Sequence, residues 1–456
     1  MGGAEYTLSC LICRRVALRI TAITNLWLVS QEFTHRRRKW IHKLHLKYGP
    51  IVRIAPNEVS FASWDAANEI YASGGSGYDK TTLYTLFENF NKRNIFSTLE
   101  KAPHAEAKKQ FADRYTKSFI MQPDVRSGIQ ELADQFVTLC TDTPSEAVDI
   151  YIQTRCYALD CITYHLFHPF GLRSLTQPSD REIMKQLSYV DDLIPSYLRY
   201  YFPALSGLFK QLLGPSTSLA SSYVATSAHR TDVASDSVLH KLQTGKNATN
   251  VPSIASECMD HLVAGIATTG DSLCYLIHHL SLDSSLSIQD KLHQELSANP
   301  SANIDDLPYL DAVVKEGLRC FVPVSMSLPR KVPAGGRIIN GVYVPGDTIV
   351  SCQAYTMHRL DTEVFPNPEA FIPERWIDAE GTIGRNHLFF AFSTGGRGCI
   401  GKNLALLEMK MLLREVYSTC RTRIAPEMKA CMELEDQLIS APPKDMTCLI
   451  TFEKIG

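Results

Sequence analysis

Apolar positions along the chain recur mostly at the three-and-four spacing of helices. Over residues 252–282 a proline opens the run, and Ile254, Cys258, Leu262 and Ile266 fall on one stripe, so a long helix is predicted there. Its middle, Ala264-Gly265-Ile266-Ala267-Thr268-Thr269-Gly270, is rich in small and hydroxyl residues. An interior glycine costs a helix about 1 kcal/mol against alanine, so something must approach closely, either a flat ligand or a neighbouring helix. Helices follow over 288–296 and 307–319. Then Arg337-Ile338-Ile339 and Val342-Tyr343-Val344 flank Asn340-Gly341, the pattern of a two-residue hairpin, and Thr348-Ile349-Val350 continues the sheet. A loop-rich stretch leads to Cys399, and another helix starts near Asn403. The pattern predicts a mainly α fold with a small β region.

No Gly/Ser-rich or Pro-rich linker and no repeat period divides the 456 residues, so one large domain is expected over 40–456 after a leader at 1–39. The leader is apolar over 6–13 and 16–29, but Arg14, Arg15 and Arg19 interrupt it before a spanning length of about 20 residues is reached. A weak or degraded membrane anchor is expected. The run Arg36-Arg37-Arg38-Lys39-Trp40 suits an anionic lipid surface and equally a solvated helix start. A net charge of −2 offers nucleic acid nothing to bind. The 13 cysteines, an odd number with no CxxC spacing beyond Cys10 and Cys13, point away from a disulfide framework and toward a reducing compartment. The sequon Asn247-Ala248-Thr249 is then an unused surface loop.

The chemistry concentrates in Phe392-Ser393-Thr394-Gly395-Gly396-Arg397-Gly398-Cys399-Ile400-Gly401. Cys399 precedes a helix start, where backbone N–H groups and the helix dipole favour a thiolate, the form in which cysteine ligates haem iron. Gly395 and Gly401 permit a tight loop and let a porphyrin lie against backbone, while Arg397 suits a haem propionate. The competing reading is a buried structural cysteine in a glycine-rich turn. Phe392, Gly395, Arg397, Cys399 and Gly401 at these spacings would coincide by chance in roughly one chain in ten thousand, which favours the ligand.

This segment resembles the haem loop of the cytochrome P-450 family, and other segments agree. Glu316-Gly317-Leu318-Arg319 is similar to the family's ExxR helix motif, and Phe371-Ile372-Pro373-Glu374-Arg375-Trp376 resembles its PERF-type segment. The resemblance implies a buried structural triad of Glu316, Arg319 and Arg375. The 252–282 helix resembles the distal oxygen-binding helix, with Ala264 and Gly265 beside the cofactor and Thr268 as proton relay. Ala267 stands where the family's pattern places an acid, and Asp271, one turn on, is a candidate substitute through a water or else a surface carboxylate. Leu328-Pro329-Arg330 resembles the segment whose arginine contacts a propionate, and His104 and Lys108 fall at the family's WxxxR positions. Residues 322–327 are expected to pass over the haem, with Tyr197, Tyr200, Tyr201 and Phe202 as pocket roof or as ordinary aromatic packing. Lys47-Tyr48-Gly49-Pro50-Ile51-Val52-Arg53-Ile54-Ala55-Pro56 resembles fungal members.

The resemblance implies a cytochrome P-450 fold, haem b, and oxidation of a hydrophobic small molecule, as in fungal secondary metabolism. O2 is consumed with electrons from NADPH through a separate NADPH-cytochrome P-450 reductase, since no dinucleotide fingerprint is present. It also implies a place on the cytosolic face of the endoplasmic reticulum membrane. Two alternatives stay open: a haem-thiolate enzyme without external oxygen activation (isomerase, dehydratase or peroxygenase), favoured by Ala267, and a non-enzymatic haem binder.

Overall fold

The computed structural model describes residues 21–72, 77–142, 146–188, 194–202, 218–245 and 250–455. Cys10, Cys13, the sequon and the first twenty leader residues lie outside them. The elements used below are, in chain order, helices α1 (Leu26–Phe33) and α2 (Arg37–Tyr48), strands β1 (Ile51–Ala55), β2 (Glu58–Phe61) and β3 (Asp79–Lys80), and helices α3 (Lys101–Lys109), α4 (Pro123–Thr141), α5 (Ile150–Phe167), α6 (Val251–Leu280), α7 (Leu286–Ala298) and α8 (Pro308–Cys320). Strands β4 (Arg330–Lys331), β5 (Arg337–Ile339), β6 (Val342–Val344) and β7 (Ile349–Cys352), helix α9 (Lys402–Thr419) and strands β8 (Cys420–Ile424) and β9 (Leu449–Lys454) complete the set. The mainly α expectation stands.

The long helix forms as its pattern predicts. Asn250 caps its start by accepting from the Ser253 amide, Pro252 sits in its first turn, and Ile254, Cys258, Leu262 and Ile266 are all buried. It crosses α5, and together with α4 and α9 these helices carry the main apolar core. A second core lies on a five-stranded sheet ordered β1-β2-β7-β4-β3, in which β2 pairs with β7 in parallel. The hairpin is present, with Asn340 and Gly341 both at positive φ as a two-residue primed turn requires. Residues 348–350 do not extend it. β5 and β6 form a sheet of their own, and β7 is recruited by β2 and β4, a long-range pairing that no local pattern encodes.

The basic run behaves differently from either expectation. α2 starts at Arg37 and runs across position 40. Arg37 and Arg38 are buried: Arg37 is paired with Glu32 and Glu58, and Arg38 with Asp436 at 2.8 Å. Charges that look solvated in the sequence are thus neutralised across the fold. Among the described residues no helix is long and apolar enough to cross a membrane.

Candidate functional site

The Cys399 loop is held by its own backbone. The Cys399 amide donates to the Phe392 carbonyl at 2.9 Å and the Gly398 amide to that of Gly395 at 3.0 Å, and Ser393 and Gly395 take positive φ to turn the chain. A Cβ at Gly395 would overlap the Tyr71 carbonyl oxygen, so glycine serves loop packing there and not only a porphyrin face. Among the cysteines described, Cys399 alone is exposed, though protein surrounds it. Burial pushes its thiol up, while the amides of Gly401 and Lys402 and the ammonium groups of Lys108 and Lys402 pull it down. The expected helix-start effect is present, but burial outweighs it, so the thiolate needs a further positive partner. Lys108 Nζ donates to the carbonyls of Gly396 at 3.0 Å and Gly398 at 3.2 Å, tying the loop to α3.

The middle of α6 is open as well. Val263 is 42% exposed and Ala264 is exposed inside an otherwise buried helix. Thr268 Oγ1 donates to the Ala264 carbonyl at 2.8 Å, which leaves Ala264, Ala267 and Thr268 on the open side. Gly265 has no room on the side of its missing side chain: a Cβ would come 2.8 Å from Ile162 Cγ1, and one at Gly270 2.8 Å from Arg155 Cγ. Both glycines admit α5, so the close approach read from the sequence is that of a helix. Asp271 is neither a surface carboxylate nor unpaired. It is buried and pairs with Arg155 Nη2 at 2.7 Å and Nε at 2.9 Å.

Beside the loop, buried cations crowd together, with Asp79 near Arg397 and Asp260 and Glu257 near Lys80 as the anions within reach. Arg330 donates to the Tyr84 hydroxyl at 2.7 Å and lies 5.0 Å from the Tyr71 ring centroid. All three guanidinium nitrogens of Arg397 are buried and unbonded; Asp79 Oδ1 is 3.5 Å from Nη2, an ion-pair separation without hydrogen-bond geometry. Burial, then Arg330, lowers Arg397 to about 10. His104 is held at about 3 by burial and by Lys80, Arg397, Lys108 and Arg330. Lys80 on β3, absent from the sequence reading, is the missing member: its Nζ donates to the carbonyls of Ile95 and Phe96, and burial, Arg330 and Arg397 depress it well below the lysine range. Crowded cations of this kind call for an anion of two or more charges. The propionates of a haem whose iron meets Cys399 answer that call, so the residues fit the cofactor.

The triad assembles as the resemblance implies. Glu316 accepts from Arg319 Nε and Nη2, both at 2.9 Å, from Arg375 Nε at 3.0 Å, from the Ile372 amide at 2.8 Å and from Trp376 Nε1 at 2.9 Å. Arg319 donates on to the carbonyls of His358, Pro368 and Ala370. Trp376 and His358 were not singled out in the sequence.

The aromatic cluster is packing. Tyr197 is buried with its ring 5.5 Å from that of Phe33 on α1, and the Tyr201 hydroxyl donates to Glu32 at 3.1 Å. Tyr200 lies edge-on to Tyr201 and Phe202 is 39% exposed. Residues 322–327 are buried except Val324, which is half-buried.

Comparison with known proteins follows this geometry. Residues 17–449 match the sequence profile of the family described as Cytochrome P450. The chain is 27% identical to cytochrome P450 monooxygenase hkm5 of Aspergillus hancockii, covering 97% of this chain and 91% of that protein. It is 31% identical to cytochrome P450 monooxygenase orf2 of Aspergillus niger, over 83% of this chain and 80% of that one. Benzoate 4-monooxygenase bphA of Aspergillus niger is 27% identical, over 87% and 85%. The exposed thiol, the buried triad and the crowded cations therefore have one explanation: the chain belongs to the cytochrome P450 family.

Proposed function

We propose that this haem-thiolate monooxygenase oxidises a hydrophobic small molecule in fungal secondary metabolism, with Cys399 as the iron ligand. Bound haem b supplies the activation of O2, fed by two electrons from NADPH. The chain's own residues do the rest. Arg330, Arg397, Lys80 and His104 hold the propionates, and Lys108 fixes the loop that presents the sulfur. Val263, Ala264 and Ala267 give the substrate an apolar wall, and Thr268 carries the hydroxyl that moves a proton on the open side of α6. Electrons arrive from a separate flavoprotein reductase. Attachment is to the cytosolic face of the endoplasmic reticulum membrane, to which the exposed Ile23, Leu26 and Trp27 contribute an apolar edge.

One observation carries this reading. The only exposed cysteine among those described sits just before a helix start, in a loop whose Arg397 has three buried, unbonded guanidinium nitrogens. The test is the reduced, carbon monoxide-bound spectrum of the purified protein, followed by oxygen uptake with NADPH and reductase against a library of apolar metabolites. A thiolate-type band with substrate-dependent uptake supports it; absence of the band sinks it. A second reading, a haem-thiolate enzyme that does not activate external oxygen, draws on Ala267 and on the capture of Asp271 by Arg155. It requires turnover without NADPH.

A further inference from the structure

His358 follows the short helix Ala354–Met357 and is fully buried. Both of its ring nitrogens are engaged. Nδ1 lies 3.0 Å from the Arg319 carbonyl oxygen, and Nε2 lies 2.8 Å from the Phe390 amide nitrogen. An amide N–H only donates, so Nε2 must accept and the ring hydrogen must sit on Nδ1, donating to Arg319. The neutral ring is stable in this place: burial, with Arg319 and Arg359 nearby, holds it at about 3. Arg319 reciprocates by donating from Nη1 to the His358 carbonyl at 3.1 Å, and the ring stacks on Phe389 at 5.6 Å.

The two ends of this bridge belong to different parts of the site. Arg319 is the centre of the triad on α8. Phe390 opens the segment that ends at the thiol: its carbonyl accepts from the Ser393 amide at 3.0 Å, and two residues on, the Phe392 carbonyl accepts from the Cys399 amide at 2.9 Å. Triad and loop are 71 positions apart at Arg319 and Phe390 (390 minus 319), and His358 bonds to both. Deleting the imidazole would strand a buried amide at the root of the loop, and a stranded donor moves to find a partner.

We propose that His358 is a positioning residue for the haem-ligating sulfur: its Nε2 holds the Phe390 amide and so fixes where the loop carrying Cys399 begins. This rests on Cys399 as ligand, and the experiment keeps the two ideas apart. His358→Gln places an amide oxygen where Nε2 stood and keeps an acceptor for Phe390. His358→Asn places an amide N–H where Nδ1 stood, keeps the donor to Arg319 and gives Phe390 nothing. Each protein is purified, matched for haem content, and read by the ratio of thiolate-type to non-thiolate-type band in the reduced, carbon monoxide-bound state, with a thermal midpoint alongside. The expected result is a ratio near wild type for Gln and about tenfold lower for Asn, the effect of one stranded buried donor. A role confined to stability would lower both midpoints and leave both ratios alone, which overturns the proposal. So does an Asn ratio equal to wild type, or a Gln ratio as low as that of Asn. Failure of the wild type to show the thiolate-type band would instead remove the Cys399 reading. Where neither variant accumulates, amide exchange in the wild type decides: the Phe390 amide must be as protected as the interior of α8, and fast exchange there overturns the proposal.

Discussion

Two groups of buried charge flank the Cys399 loop, and they are built on opposite principles. Around Glu316 nearly every donor is answered within the chain: two arginines, an indole N–H and a backbone amide converge on one carboxylate, and the spare donors of Arg319 reach carbonyls, with Arg375 Nη2 the one left unbonded. Around Arg397 the answer is incomplete: Asp79 stands 3.5 Å away, and no guanidinium nitrogen makes a hydrogen bond. Lys80, His104, Arg330 and Arg397 share one neighbourhood, and three of them are pushed toward neutrality by burial and by one another. A closed network specifies a fold and needs no ligand. An open one spends stability in the free protein and recovers it when an anion arrives. The contrast separates the part of the site that folding completes from the part that the cofactor completes.

The sharpest break in that contrast is at the point where both groups converge. Cys399→Ser removes the ligand while leaving triad and cations in place, so the thiolate-type carbon monoxide band should vanish entirely. The same spectrum from any other cysteine variant should be unchanged, since the other described cysteines are buried or half-buried and none lies in the loop.

The closed network should break next. Arg319→Ala leaves Glu316 buried with part of its compensation gone, at a cost of about 3–5 kcal/mol. Little haem-loaded protein should accumulate, and urea titration of whatever is soluble should show the loss. A fully loaded, wild-type-stable variant would mean that Arg375 and Trp376 alone satisfy Glu316.

The open group should answer with the opposite sign. Arg397 makes no hydrogen bond in the free protein, so Arg397→Met strands nothing and relieves repulsion from Arg330. The apoprotein should be as stable as wild type or slightly more so by thermal melt. The holoprotein should lose haem to an acceptor globin faster, by about tenfold or more, because a charge-assisted bond is worth about 1.5–3 kcal/mol. Equal losses in both forms would show that Arg397 belongs to the closed class.

What the sequence disclosed follows the same division. Features carried by contiguous residues were legible: the Cys399 loop, the Glu316–Arg319 turn, the apolar stripe of α6 and the Asn340-Gly341 hairpin each need only local spacing. Arg375 and Arg330 were reached through family resemblance. Lys80 and His358 were not reached, because their roles arise from partners 15 to 317 positions away (95 minus 80 for Ile95, 397 minus 80 for Arg397). Asp271 failed for the same reason: helical spacing put it in line with Ala267, while its environment is set by Arg155 on a crossing helix. Burial of Arg37 and Arg38 likewise depends on Glu58 and Asp436, which no charge pattern around position 37 announces.

The smallest expected effect sharpens the comparison most finely, because one residue type occurs in both groups. His104 and His358 are each held at about 3, against an ordinary value near 6.5. Both are therefore neutral in the folded chain while the unfolded chain takes up a proton below about 6.5. Stability is unaffected above that value and falls as pH drops from about 6.5 toward 3, by at most about 1.4 kcal/mol per pH unit for each group. The causes differ. His358 is kept neutral by burial, with Arg319 and Arg359 adding to it, and no ligand changes that. His104 is depressed by burial and then by Lys80, Arg397, Lys108 and Arg330, and bound propionates would offset those cations and raise it. Loading haem should accordingly flatten the acid limb of the stability profile by the His104 share alone. In His104→Gln the apo and holo limbs should run parallel below pH 6, whereas in the wild type the apo limb is steeper. Measured by urea midpoints at half-unit steps between pH 5 and 7, limbs that stay unequal in the variant would place the anion-sensitive group elsewhere among the cations, with Lys80 the next to test.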